Sequence, residues 1–434
     1  MIGGWRANMF KTKLTRWSRL DNAAKIFPAT SGKKDVRVFR FACELTEYVD
    51  PEILQQALDR TMELFPLFRS VLRKGLFWYY FESSDLKPVA KKEYRLPCSG
   101  LYIRDQKNLL FEVTYYQKRI NFEVFHALTD GTGALHFLRM LVYSYLTIKH
   151  KDVFGDRMPV IDYDVSHEAQ RDDSFQRYYS EEWKRKNKKL KKEIPKYHAF
   201  QLKGQKTEYG HMQITEGVMS AKAVLAKAKE YNATMTVFLT AVLLCSIEKE
   251  MTVRQKKKPV SLMIPVNLRN YYPSDSARNF FGWIDIGYHF LEQSNQFEDV
   301  VAFVKEFFEK ELTKERIAIR MHELISLECN PLLRIVPLEL KTVFLQLGTA
   351  FSLSSDTAIF SNLGKITMPE ELSPYIRLFD VFTSTPKKEL SICSYKDNLV
   401  LTISSHFEST DIEKNFFRTL SGMGIKIEIA AKRS

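Results

Sequence analysis

The sequence predicts an α/β (α+β) fold made of two related halves. In each half, segments that alternate between apolar and polar residues, as strands do, are interspersed with segments of helical periodicity. Residues 119–141 and 398–420 also share one order of features: an alternating strand, a histidine, an Asp-bearing loop and an amphipathic helix. A chain of 434 residues is long enough for two such halves with a sizeable core.

A charged stretch with little apolar periodicity separates the halves. We predict an N-terminal lobe over 1–175, a basic linker over 176–210 and a C-terminal lobe over 211–434. Within this stretch, 178–192 is expected to form a solvated helix.

Elements of the first half follow from local patterns. Residues 37–48 alternate as a strand, and a helix follows from an N-cap at Asp50, with Pro51 at its first position, to Pro66. Further strands are predicted at "LFRSVLRK", "LFWYYFE", "LLFEVTYYQ" and "RINFEVFHAL". The segment "ALHFLRMLVYSYLTIK" then predicts a helix of about four turns.

The second half opens with two helices, "SAKAVLAKAKEYN" and the apolar "ATMTVFLTAVLLCSIEKEM". Strands are predicted at "KPVSLMIPVNLR" and "GWIDIGYHFLE", followed by a single long helix over 296–326. Four strands, "TAIFSNLGKI", "IRLFDVFTS", "ELSICSYKD" and "NLVLTISSHF", precede a closing helix capped near Ser409 or Asp411.

The net charge of +13 is concentrated in "KRKNKKLKKE" (184–193) and "RQKKKP" (254–259). Three interpretations stay open: a solvated helix face, a site for nucleotide-type phosphates or an acidic acyl-carrier protein, and an anionic membrane or nucleic acid. Nucleic acid is disfavoured, because no nucleic-acid-binding motif accompanies the charge.

The sequence predicts neither a secretory signal nor a transmembrane segment. The longest apolar stretch, 237–247, is shorter than the roughly 20 residues that span a bilayer. Peripheral membrane contact stays open. The five cysteines are scattered without CxxC spacing, which argues against disulfides or zinc and favours a cytoplasmic location.

The chief candidate for chemistry is His126. By period two it shares a strand face with Ile120, Phe122 and Val124, and the turn expected at Asp130 and Gly131 follows. A neutral histidine at the mouth of an apolar site is a good general base, whereas a buried histidine before a turn is an equally ordinary core residue. A metal site would need Asp130 and His136 to converge on His126. This is disfavoured, so no metal is predicted.

The segment Phe125–Gly131 resembles the HHxxxDG signature of the chloramphenicol acetyltransferase-like superfamily, which includes peptide condensation domains. Phe125 stands where condensation domains place the first histidine. "IPVNLRNYYPSDSARNFFGW" (264–283) and "IFSNLGKI" (359–366) are similar to two later landmarks of that superfamily. "RLDNAAKIFPA" (19–29) resembles the opening of bacterial alcohol acetyltransferase-like proteins.

The resemblance implies two lobes, each a mixed sheet with flanking helices, that meet along an active-site channel. It implies His126 as general base and Asp130 as a structural anion paired with Arg269. Five further positions take lesser roles: Gly131 as a tight turn, Asn279 as a hydrogen-bonding support, Phe125 as a channel position, Trp283 as either a channel or a core residue, and His406 as a degenerate copy of the catalytic histidine.

The implied function is transfer of an acyl group, such as acetyl, from a coenzyme A thioester to an alcohol or amine. Coenzyme A is then a co-substrate, and no permanently bound cofactor is expected. One alternative is a stand-alone condensation-type enzyme that takes its acyl group from a carrier protein. The other, of a different class, is a non-catalytic relative that binds a ligand or partner.

Overall fold

In the computed structural model the described residues are 17–32, 35–104, 106–155, 157–162, 172–180, 182, 194–208, 211–329 and 335–433. Most of the predicted helix at 178–192, and all of the basic run 184–193, lies outside these residues.

The first half contains seven strands and five helices among its described residues. The strands are β1 Trp17–Arg19, β2 Val38–Leu45, β3 Ser70–Lys74, β4 Tyr79–Ser83, β5 Lys91–Lys92, β6 Phe111–Tyr116 and β7 Arg119–Phe125. The helices are α1 Ile26–Thr30, α2 Pro51–Leu64, α3 Gly131–Lys149, α4 Lys151–Phe154 and α5 Ser174–Tyr178. As predicted, α2 begins at Asp50, whose carboxylate accepts hydrogen bonds from the first-turn amides of Glu52 and Ile53.

The second half has eight strands and six helices in the part that the structure describes. The strands are β8 Gln213–Ser220, β9 Val260–Asn267, β10 Phe281–Tyr288, β11 Ala358–Ile366, β12 Ile376–Thr383, β13 Lys388–Tyr395, β14 Asn398–Ser405 and β15 Ile427–Arg433. The helices are α6 Ala221–Glu230, α7 Met235–Glu248, α8 Phe297–Glu311, α9 Lys314–Cys329, α10 Leu338–Leu353 and α11 Asp411–Gly422.

Two larger sheets form the two lobes, which confirms the predicted fold class. A five-stranded sheet has the order β12-β2-β7-β6-β5, and α2 and α3 pack together over one of its faces. A seven-stranded sheet has the order β10-β9-β11-β13-β14-β8-β15, with parallel and antiparallel pairs. A small sheet, β1-β4-β3, completes the first half.

One strand from the second half of the sequence belongs to the sheet of the first half. β12 comes from the second half but pairs antiparallel with β2 in the five-stranded sheet, with Asp380 opposite Ala42. The next strand, β13, returns to the seven-stranded sheet. The division at 176–210 therefore describes the order of the chain, but not the membership of every strand.

Arg119 joins the two sheets electrostatically. It lies on β7, and its guanidinium donates to Glu44 of β2 at 2.9 Å. It also donates to both carboxylate oxygens of Glu216, on β8 of the other sheet, at 2.9 Å. Both contacts to Glu216 are made by one nitrogen, Nη2, so the guanidinium links a strand of one sheet to a strand of the other.

The predicted long helix over 296–326 is wrong, because the chain breaks it into α8 and α9. α8 ends at Glu311, and the buried Glu311 carboxylate binds the guanidinium groups of Arg316 and Arg320 from the following helix. α10 was not predicted at all. Apart from the helix at 178–192, most of which lies outside the described residues, the remaining predicted strands and helices are present, with bounds that differ by a few residues.

Across the described residues, no individual helix has the length and apolar character needed to cross a membrane. α6 and α7 meet that criterion only as a pair, and they are bent by 80° at the break between them.

Candidate functional site

His126 lies directly after β7, and the strand pairing continues one step past its end. The backbone N–H of His126 donates to the carbonyl of Arg37 at 2.8 Å. Its ring packs against Phe39, the residue that pairs with Val124 across β2 and β7. The ring is therefore on the side of the sheet predicted from the alternation of Ile120, Phe122 and Val124.

Three aromatic rings surround the imidazole. Phe27 of α1 stacks on it with centroids 4.5 Å apart, Phe39 lies at 4.9 Å, and Phe281 at the start of β10 lies at 5.4 Å. This apolar surrounding disfavours the charged form, so burial lowers the pKa of His126 below the ordinary 6.5. The ring is neutral at physiological pH.

The Asn279 side chain determines which ring nitrogen of His126 carries the proton. Its Oδ1 is 3.1 Å from His126 Nδ1. Its Nδ2 donates to Asp21 Oδ2 at 3.3 Å and to the carbonyl of Ala127 at 3.4 Å. Because both of those partners accept, the amide nitrogen must face them and the amide oxygen must face the ring. Nδ1 therefore donates, and Nε2 keeps its lone pair.

Asp21 is a fully buried carboxyl behind Asn279, and sequence reasoning gave it no role. Its Oδ1 accepts from the N–H of Ala24 at 2.7 Å, and its Oδ2 accepts from the backbone N–H of Asn279 at 3.3 Å. Burial raises the pKa of Asp21 to about 7. The only sequence signal was its position within "RLDNAAKIFPA".

Asp130 and Arg269 form the expected ion pair. Arg269 Nη1 lies 2.7 Å from Asp130 Oδ2, and both side chains are almost fully buried. Asp130 Oδ2 also accepts from the N–H of Phe280 at 2.8 Å, and Oδ1 caps α3 by accepting from Gly133 N–H at 3.0 Å. These hydrogen bonds of the carboxylate are structural, and Asp130 acts on His126 through its charge rather than through a hydrogen bond.

Arg269 also organises the segment that carries Asn279. Its Nη2 donates to the carbonyls of Ser276 at 2.8 Å and Arg278 at 2.7 Å, and its Nη1 reaches the carbonyl of Phe280 at 3.3 Å. These carbonyls lie on either side of Asn279 in sequence. The ion pair therefore holds the loop that presents the amide to His126.

The prediction that Gly131 is needed for a tight turn is wrong. Gly131 is the first residue of α3, not part of a turn, and its backbone is not left-handed. A Cβ there would lie 3.0 Å from a methyl group of Leu363. Gly133 is the more constrained position, since a Cβ would lie 2.2 Å from Thr129 Oγ1 and 2.3 Å from the carbonyl of Ala277.

The two expected channel positions differ. Phe125 is fully buried and stacks on Tyr102 within the core that includes β2 and β7, and its expected place along a channel stays a prediction. Trp283 is half-buried and follows Phe281 by two residues on β10, which places both on one strand face. Its role as a channel residue stays a prediction.

His406 follows β14 as His126 follows β7, and α11 follows it as α3 follows His126. Its Nδ1 donates to the carbonyl of His211 at 2.9 Å. The echo seen in the sequence thus corresponds to matching elements in the two lobes.

Over the described ranges, no group of three or more His, Cys, Asp or Glu residues is placed to hold a metal ion.

The two-lobed architecture and the strand-end histidine define a chloramphenicol acetyltransferase-like fold. The family model "Alcohol acetyltransferase" matches residues 105–391, and the chain therefore belongs to the alcohol acetyltransferase family. The protein is an acyltransferase. No curated protein sequence matches the chain.

Solved structures share the fold at low sequence identity. Trichothecene 15-O-acetyltransferase from Fusarium sporotrichioides has 9% identity and a TM-score of 0.63, with 94% of this chain and 95% of that chain covered. The first condensation domain of the calcium-dependent antibiotic synthetase has 13% identity and a TM-score of 0.64, covering 95% and 99%. The starter condensation domain of rhizomide synthetase, solved with C8-CoA and Leu-SNAC, has 12% identity and a TM-score of 0.58, covering 96% of each chain.

Disrupting the buried ion pair should destabilise the fold. We expect Asp130→Asn and Arg269→Gln each to cost about 3 kcal/mol, because each leaves a buried charge or dipole without its partner. The double variant should cost clearly less than the sum of the two. Chemical denaturation of the four proteins measures this, with Lys414→Gln, in the exposed Lys414–Asp411 pair, as a control expected to change little. Additive losses would contradict the pairing.

The crowding at Gly133 gives a second prediction. Gly133→Ala should lower the unfolding free energy by about 1–3 kcal/mol, because the new methyl group overlaps Thr129 and Ala277. Gly348→Ala is the matched control: it is also in a helix, has nothing within 4 Å of the new Cβ, and should gain up to about 1 kcal/mol. Equal effects of the two substitutions in denaturation curves would count against this packing.

Proposed function

We propose that this acyltransferase moves an acyl group from a coenzyme A thioester to a hydroxyl or amine, with His126 as the general base. The observation that carries the proposal is the hydrogen bond between His126 Nδ1 and Asn279 Oδ1. It leaves Nε2 as a free acceptor, and the aromatic surroundings keep the ring neutral.

Nε2 of His126 is the atom that would accept and return the proton during acyl transfer. Nε2 takes the proton of the acceptor O–H or N–H while the acceptor atom attacks the thioester carbonyl carbon. A carbon–oxygen or carbon–nitrogen bond forms, and the negative charge moves to the carbonyl oxygen. The tetrahedral species then collapses, the carbon–sulfur bond breaks, and the imidazolium returns its proton to the leaving sulfur. The ring ends in its starting state.

Asn279 and Asp21 have a positioning role in this proposal. When Nε2 gains a proton, the positive charge spreads over the ring, and Asn279 Oδ1 stabilises it through Nδ1–H. Asp21 holds the amide in the required orientation from behind. Asp130 supports the same loop through Arg269 and takes no part in proton transfer.

The identity of the acyl donor has less direct support than the identity of the base. The starter condensation domain described above was solved with C8-CoA, and the basic charge of this chain suits either the phosphates of coenzyme A or an acidic carrier protein. The alternative is a carrier-protein donor. Assays with a coenzyme A thioester and with an acyl-carrier protein in parallel decide between the two donors.

Replacing the proposed base should remove turnover and leave the fold intact. We expect His126→Ala to lower kcat/KM by about 10²- to 10⁴-fold, the usual contribution of general-base catalysis. The assay measures free thiol released from acetyl-CoA with a panel of alcohols and amines, and from acyl-carrier protein in parallel.

His406→Ala is the matched control, because it removes the histidine at the equivalent position of the other lobe. It should keep the wild-type rate. Wild-type turnover by His126→Ala, with an unchanged unfolding curve, would reject the catalytic assignment.

The lowered pKa of His126 predicts the pH dependence. A base works only when unprotonated, so kcat/KM should be level above neutral pH and fall only below the ordinary histidine value of 6.5. Asp21 titrates at about 7, so the profile is also measured in Asp21→Asn. The acid limb should persist in that variant if it belongs to His126. A limb with its midpoint above 7 that survives Asp21→Asn would contradict the assignment.

A further inference from the structure

Both ends of β7 contact the second lobe. Beyond its last residue, the ring of His126 meets Asn279, which precedes β10, at 3.1 Å. At its first residue, Arg119 donates to Glu216 of β8 at 2.9 Å. The first contact belongs to the candidate site. The second lies at the opposite end of the strand and has no role in the acyl transfer proposed above.

Two buried carboxyl groups from different sheets meet at Arg119. Glu216 belongs to the seven-stranded sheet and is 8% exposed, and Asp380 on β12 belongs to the five-stranded sheet and is 1% exposed. Asp380 Oδ1 accepts from the hydroxyl of Thr402 at 2.5 Å and from the N–H of Val381 at 2.7 Å. Among the described residues no N–H or hydroxyl donates to Asp380 Oδ2, and Arg119 Nη1 lies 3.7 Å from it.

A proton on Glu216 supplies the donor that Asp380 lacks. The two carboxyl groups are hydrogen-bonded to each other, and an ionised carboxylate can only accept, so this contact requires a proton on one of them. Burial, followed by the charge of Asp380, raises the pKa of Glu216 to about 7 even though Arg119 acts in the other direction. The proton is therefore held below neutral pH and released to solvent above it.

The neighbouring charges do not replace that proton. Arg119 is shared, because its Nε donates to Glu44 of β2 at 2.9 Å. The other nearby cations are already paired with acids: Arg377 with Glu44 and Glu428, and Arg40 with Glu93 and Glu123. The thiol of Cys393 on β13 stays neutral, because burial raises its pKa well above the ordinary value. Without the proton, two buried carboxylates compete for one guanidinium that also binds Glu44, which is costly.

A cavity of about 60 Å³ lies against the pair, between the two sheets. Its walls come from β2, β6, β7 and β12 on one side and from β8 and β15 on the other, and it includes both Glu216 and Asp380. This volume admits several water molecules. Water can thus reach a newly charged carboxylate here, and it hydrates the charge more fully if the two sheets move apart.

We propose that Glu216 and Asp380 form a proton-dependent clasp between the two lobes. With the proton in place, their hydrogen bond joins β8 to β12 and the sheets pack closely at this point. When the proton is lost, the two carboxylates repel, water enters the cavity, and β8 with β15 loosens from the five-stranded sheet. The ion pair of Asp130 with Arg269 needs no shared proton, so the contact at the other end of β7 is retained.

Chemical denaturation of the full chain between pH 5 and pH 8 tests the clasp. Glu216 binds its proton with a pKa of about 7 in the folded chain and 4.5 as an ordinary Glu. The folded chain thus keeps a proton that the unfolded chain has lost, and the stability due to this proton falls as the pH rises to 7. In Glu216→Gln the amide donates to Asp380 at every pH. Relative to that variant, the unfolding equilibrium constant of the wild type should rise on the order of 10²-fold from pH 5 to pH 8.

A second variant and a matched control accompany this measurement. Asp380→Asn keeps an oxygen for Thr402 and donates to ionised Glu216, so it should lose the same pH dependence. Glu428→Gln removes an acid of neighbouring β15 whose side chain is 80% exposed, and it should follow the wild type. Asp21 titrates in the same range, but it is present in all four proteins and cancels in the comparison.

Hydrogen exchange shows whether the lobes loosen. Corrected for intrinsic rates, the amides of β8 should exchange faster at pH 8 than at pH 6 in the wild type and equally in Glu216→Gln, with β9 of the same sheet as the internal reference. A wild-type pH dependence of stability in both clasp variants would overturn the proposal, as would β8 exchange that is the same in the wild type and Glu216→Gln. Neither readout needs turnover, so failure of the acyl-transfer proposal would leave the clasp unaffected.

Discussion

The ion pair between Asp130 and Arg269 is the contact on which the geometry of the site depends. At one end, Asp130 caps α3 directly after the segment that follows His126. At the other end, Arg269 binds carbonyls on both sides of Asn279. Two parts of the chain about 150 residues apart are thereby fixed against each other, and the amide meets the ring at 3.1 Å. The main role of this buried charge pair is to fix the positions of the two segments. Its net contribution to stability is small, although removing one partner is costly because it leaves the other without a partner.

The environment of His126 combines two effects that act on different properties of the ring. The aromatic side chains lower its pKa, which keeps it neutral, and the amide of Asn279 selects which nitrogen is unprotonated. A carboxylate in place of that amide would favour the imidazolium and raise the pKa. An amide gives the same orientation without the charge. In the proposed function, this arrangement supplies a neutral proton acceptor at Nε2.

Much of the fold could be predicted from the sequence, because strands and helices depend on local patterns. Alternation placed His126 at a strand end. The pairing of Arg269 with Asp130 could not be read from local patterns, and it came from the resemblance of the two segments to superfamily landmarks. Asp21 could not be found in this way, since its contact with Asn279 joins positions 258 residues apart. The transfer of β12 to the first sheet was missed for the same reason: alternation shows that a segment is a strand, but not which strand it pairs with.

The unpredicted α10 shows a different limit. Periodicity indicates that one side of a helix is apolar. It does not show whether that side packs against the rest of the protein. In α10 the packed side is held by Leu338 and by Lys341, whose ammonium group binds a carbonyl and a Trp ring, so Phe344, Leu347 and Phe351 are left facing outward. α10 also packs on α1 through Gln346, and Phe27 of α1 stacks on His126, so a single short helix lies between α10 and the imidazole. α10 therefore supports one wall of the site even though most of its own apolar side chains face outward.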